Sequence, residues 1–153
     1  MLQTLRLPLA LSLACAMAWL TACSKEPKTE TLGAPVARKT LVSGTVDLAE
    51  TAKAQADPLA VLFVIARNER GQIAAVQKLF PPFQYPVSYS LTETDAMIPG
   101  TELSGKLKVT ARLDKDGNAN PAQPGDVLGR SDREWVAIGD KDVKIVLNEP
   151  VQP

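Results

Sequence analysis

The chain has 153 residues, 17 basic and 17 acidic side chains, two cysteines and no histidine. Balanced charge gives no electrostatic hold on nucleic acid. The missing histidine removes histidine triads, histidine-ligated zinc, iron or copper, and histidine-ligated haem. Composition thus points away from an enzyme, with no cofactor, no metal and no small-molecule substrate in evidence.

Residues 1–22 read as an export signal. Arg6 supplies a small positive region, and residues 7–20 (LPLALSLACAMAWL) are apolar apart from one serine. As a helix this run would span about 21 Å. That is short of the ~30 Å hydrocarbon core, as a signal's hydrophobic region should be. Leu20-Thr21-Ala22-Cys23 follows at once and looks like a bacterial lipobox, with cleavage after Ala22 and acylation of Cys23. The competing readings are a plain cleaved signal, or a short membrane anchor with a chance cysteine. Cys15 leaves with the signal, so the mature chain has no internal disulfide. Several acyl chains on Cys23 make a permanent membrane anchor. The expected location is the periplasmic side of the cell envelope. Ser24, where an aspartate would hold a lipoprotein at the inner membrane, favours the outer one by resemblance to enterobacterial sorting rules.

Residues 23–40 are the lipidated cysteine and a tether. The stretch SKEPKTETLGAPVARKT has no aromatic residue, two prolines and mixed charge, too little to bury a core. As a coil it would reach roughly 20–25 Å.

From residue 41 the apolar period becomes two. In 41–48 (LVSGTVDL), Val42, Gly44, Val46 and Leu48 share one side of a half-buried strand. Residues 49–57 suit a short helix or loop. Residues 59–67 (LAVLFVIAR) are the most apolar run after the signal and read as a central buried strand. Asn68-Glu69-Arg70-Gly71 turns it into a returning strand at 73–80. Further strands fall at 87–91, at 107–113 with Leu107, Val109, Ala111 and Leu113 inward, at 135–138 and at 143–147. Seven short strands between proline and glycine turns, without a 20–50-residue repeat, predict an all-β, antiparallel β-sandwich over residues 41–148 with a tail at 149–153.

Five motifs then occur in order: VSGTV at 42–46, LFVIAR at 62–67, the 97–104 segment holding Met97, Pro99, Gly100 and Ser104, ARLDKDGNA at 111–119, and GDVLG at 125–129. Together they resemble the C-terminal, immunoglobulin-like periplasmic domain of the CycH proteins of cytochrome c biogenesis, over about residues 41–148. The resemblance implies an immunoglobulin-like sandwich. It also implies a protein partner from that pathway, apocytochrome c or the haem-attachment complex. Full family proteins add transmembrane helices and tetratricopeptide helices that hold the unfolded cytochrome. Nothing between Cys23 and Pro153 resembles a 34-residue helical repeat, so what is shared is the accessory sandwich. A non-enzymatic, lipid-anchored module assisting cytochrome c-type biogenesis is the leading reading. A pilotin-like or general envelope lipoprotein escorting a secretion or assembly partner is the alternative.

Several residues invite chemistry and have plainer readings beside it. Asp114, Asp116 and Asn118 sit like the first ligands of a calcium loop, but Ala119, Pro121 and Gly125 stand where glycine, a ligand-compatible residue and a bidentate glutamate belong. A polar turn fits better. In Gly125-Asp126-Val127-Leu128-Gly129 the glycines would supply backbone shapes closed to other residues, and Asp126 would accept backbone N–H bonds. Arg67 and Arg112 end predicted strands. They would clamp a partner carboxylate or pair with Asp126 or another acid of the domain. Phe80, Phe83 and Tyr85 lie among three prolines, either as a docking surface for a partner or as a sandwich corner capping the core. Met97 reads as a packed core residue rather than a metal ligand.

Overall fold

The computed structural model describes residues 39–98, 103–118 and 121–153. Ala22, Cys23, Pro99 and Gly100 lie outside the described residues. Eight strands occur among them: β1 (Thr40–Leu48), β2 (Val61–Arg67), β3 (Ile73–Leu79), β4 (Val87–Thr92), β5 (Lys106–Asp114), β6 (Val127–Ser131), β7 (Val136–Ala137) and β8 (Val143–Pro150). Two 3-10 turns, Glu50–Ala52 and Glu93–Asp95, are the only helical segments described. The fold is all-β.

The strands pair in the order β3-β2-β5-β6-β8-β1-β4, and β7 adds to the other half of β5. The path folds over until its two end strands meet. Ala75 bridges Ala96, the Met97 N–H donates to the Ala74 carbonyl at 2.9 Å, and the Ser90 N–H donates to Gln77 Oε1 at 3.1 Å. These bonds occupy polar groups that an open sheet edge would leave bare. The halves enclose one core. β1 contributes Val42 and Val46, β2 contributes Leu62, Val64 and Ala66, and β8 contributes Ile145 and Leu147. On β5, Leu107, Val109, Ala111 and Leu113 all point inward, as their alternation required.

Four features depart from the sequence reading. The sandwich is not wholly antiparallel, because β1 and β8 run parallel with Val46 opposite Ile145. A parallel pair needs a long crossover, and here the rest of the domain supplies it. β6 was expected as a turn. It is a strand between β5 and β8, and Gly129 is there for proximity rather than for an unusual φ. A Cβ on Gly129 would stand 2.5 Å from the Val146 carbonyl oxygen and 2.8 Å from its carbon. Gly44 on β1 is the same case, with the Val143 oxygen 1.8 Å from a would-be Cβ. Leu59 precedes β2 and is exposed. Finally, pairing enters both expected flanks. β1 starts at Thr40, β8 runs to Pro150, and the Val151 N–H donates to the Asp126 carbonyl at 2.8 Å.

Candidate functional site

The loop from β5 to β6 gathers the charged residues of two sequence motifs. Asp126 is buried where the chain enters β6. Its Oδ1 accepts the Lys115 N–H at 3.1 Å and its Oδ2 accepts the Gln123 N–H at 2.9 Å. Gly125, at φ 98°, makes the preceding turn. Asp114 Oδ1 and Asp116 Oδ1 both accept the Asn118 N–H, at 3.0 and 2.8 Å. Asp114 and Asp116 therefore serve their own loop as acceptors of a backbone N–H, and no group of three acidic or cysteine side chains poised for a metal occurs among the described residues.

Arg112 pairs with Asp114, not with Asp126. Its Nε lies 3.0 Å from Asp114 Oδ2, a charge contact outside hydrogen-bond alignment, and both side chains are almost wholly buried. The guanidinium also sits over the Phe63 ring at 5.9 Å, and its Nη2 donates to the Asn118 carbonyl at 3.4 Å. Burial raises the pKa of the Asp114 carboxyl, helped by its hydrogen bond to Asp116 and by the charge on Asp126, with Arg112 opposing. The Asn118 backbone N–H and the Asp114 side chain lower that of Asp116. Arg67 goes elsewhere. It makes no ion pair among the described residues, and its Nη1 donates to the Gly71 carbonyl at 3.3 Å.

The aromatic segment divides. Phe83 and Tyr85 are half-buried against the core, with rings 6.3 Å apart and tilted by 52°. They line a pocket of about 350 Å³ with Leu48, Pro58, Pro82 and Leu113. Burial, with the charge on Asp47, raises the Tyr85 phenol's pKa. This is the corner that caps the core. Only Phe80 is exposed, at 67%, with the Lys78 ammonium 5.3 Å from its ring centre. Met97 is not a core residue: it follows the second 3-10 turn and is 56% exposed, with its backbone N–H on the Ala74 carbonyl.

A larger concavity holds Arg67 and Arg112, the two arginines that the sequence marked as possible carboxylate clamps. The outer faces of β2, β5 and β6 form a groove of about 650 Å³. Residues paired across strands share a face, so the register places Arg67 beside Lys108, Ile65 beside Thr110 and Arg130, and Phe63 beside Arg112 and Leu128. Ile65 and Leu128 form an apolar floor, and Arg67, Lys108, Arg130 and Arg133 stand around it. The outward positions of β2, β6 and β5 through Arg112 carry no acid. The acids lining the groove are Glu134, 3.8 Å from Lys108, and Glu149 of β8, which pairs with Leu128 and lies 3.4 Å from Arg130. By sequence Arg67 and Arg112 stood out as possible carboxylate clamps, whereas Lys108, Arg130 and Arg133 carried no signal. Only the register reveals that they share one face.

Comparison with known proteins gives one family and one relative. The model of the cytochrome c-type biogenesis protein H Ig-like domain matches residues 42–148. A protein from Aquifex aeolicus (strain VF5), described as "Uncharacterized protein", is 29% identical over 115 residues, covering 73% of each chain. No solved structure matches.

Proposed function

The chain belongs to the family of the cytochrome c-type biogenesis protein H Ig-like domain, and we propose that it is a non-enzymatic interaction module of cytochrome c-type biogenesis, held at the periplasmic side of the envelope by an acylated Cys23. One observation carries the reading. The family match runs from β1 through nearly all of β8, so it covers the whole sandwich rather than a fragment of it. The charged loop agrees with it, since its described carboxylates hold backbone amides and a buried arginine. The family points to components of cytochrome c biogenesis as what the module contacts.

The test is capture of the tagged full chain from detergent-solubilised membranes. Apocytochrome c or haem-attachment proteins should co-purify at near-native stoichiometry, and their absence overturns the pathway reading. Intact-mass measurement should find acyl chains on Cys23. The Cys23→Ala variant should leave the membrane fraction, and density-gradient separation should place the native chain in the outer membrane.

A further inference from the structure

We infer that the groove across β2, β5 and β6 receives an extended, acidic segment of a protein partner, with its carboxylates on Arg67, Lys108 and Arg130. This rests on the chain acting by protein contact, as proposed above, and names the chemistry of what it contacts. The argument starts from charge. The whole chain is balanced, 17 against 17, yet the residues of β2, β5 and β6 that line this groove are basic or uncharged, and its acids among the described residues are Glu134 and Glu149 alone. Arg67 has only a backbone carbonyl as partner among the described residues. Lys108 and Arg130 face exposed rim glutamates whose ion pairs are weak enough to exchange.

Shape and spacing then select among acidic partners. Arg67 and Lys108 lie directly opposite each other across β2 and β5, about 5 Å apart at the backbone. Arg130 is one strand further and diagonal to Lys108, about 7–8 Å away. An extended chain places alternate side chains about 6.6 Å apart on one side, between these two separations, so acids at every second position come within reach of the long basic side chains. The partly apolar floor of Ile65 and Leu128 suits the peptide's own aliphatic groups. A flat bilayer surface would touch only the rim of such a hollow. Arg112, pinned by Asp114 and stacked on Phe63, fixes the end of the groove without being free to exchange.

The test uses the full chain in non-ionic detergent and a labelled peptide alternating glutamate with valine, read by fluorescence anisotropy. The wild type should bind the peptide, with affinity falling as salt rises. Arg67→Glu combined with Arg130→Glu should weaken binding roughly tenfold or more, as two attractions become repulsions. Lys141→Glu, an exposed loop change outside the groove, should leave it within about twofold. Both altered residues are accessible, and circular dichroism checks that the variants stay folded. The inference is overturned if the wild type does not bind, if the lysine counterpart of the peptide binds as well, or if the groove variant binds unchanged. It is also overturned if the groove recruits the chain to phosphatidylglycerol vesicles but not to the peptide. Groove-dependent peptide binding, with no cytochrome biogenesis protein captured from cells, would uphold this inference while removing the pathway assignment.

Discussion

Asp126→Ala is the most informative single change to the fold. The side chain is 2% exposed and accepts two backbone N–H groups from opposite ends of the β5–β6 loop, at 3.1 and 2.9 Å. Its own backbone is committed as well, with the N–H on the Gln123 carbonyl and the carbonyl on the Val151 N–H. A hydrogen bond to a charged acceptor contributes about 1.5–3 kcal/mol, and an orphaned donor costs a similar amount. Two such bonds give an upper figure near 6 kcal/mol. Lys115 is exposed, so water can recover part of the loss at that end, and the expected destabilisation is about 3 kcal/mol. Asp126→Asn keeps one acceptor and turns an amide N–H toward the other donor, so it should lose about half as much. Urea unfolding followed by circular dichroism reads both. With a slope of about 1.5 kcal/mol/M, the alanine midpoint should fall by roughly 2 M. An alanine variant within about 0.5 kcal/mol of wild type would refute the account of Asp126 as the tie that closes this loop.

Gly129→Ala should destabilise by about 2–4 kcal/mol in the same assay, because its Cβ meets the Val146 backbone at 2.5 Å and the β6–β8 pair must part. Phe83→Ala should cost about 1–3 kcal/mol and Phe80→Ala under about 0.5, since one ring packs on the core and the other is largely in solvent; equal effects would contradict the division of the aromatic segment. Tyr89 donates its hydroxyl to the Val143 carbonyl at 3.3 Å, and burial, aided by the Asp132 charge, raises its pKa well above the ordinary 10.0. An acid whose folded pKa is raised contributes stability that is whole below the unfolded value and is lost as pH climbs toward the folded one. Above pH ~10 the wild type should therefore lose up to about 1.4 kcal/mol per pH unit more than Tyr89→Phe, measured as the difference between their unfolding curves.

What the chain's order of residues determined was the local alternation. Val42 with Val46, the 62–67 run, and Leu107 with Val109, Ala111 and Leu113 each had one way to bury apolar side chains, so strands and inward faces were readable. Asp126 was legible too, because a buried aspartate beside a turn glycine has backbone amides within reach. β6 was not legible, since Gly129 looks like a turn until the Val146 carbonyl is seen against it. Nor was the parallel union of β1 with β8, whose partners lie about a hundred residues apart, and no local signal encodes a long-range neighbour. The exposure of Met97 was decided the same way, by the pairing of its segment with β3. So was the basic groove. Arg67, Lys108 and Arg130 belong to three strands, and only the pairing register puts their charges on one face.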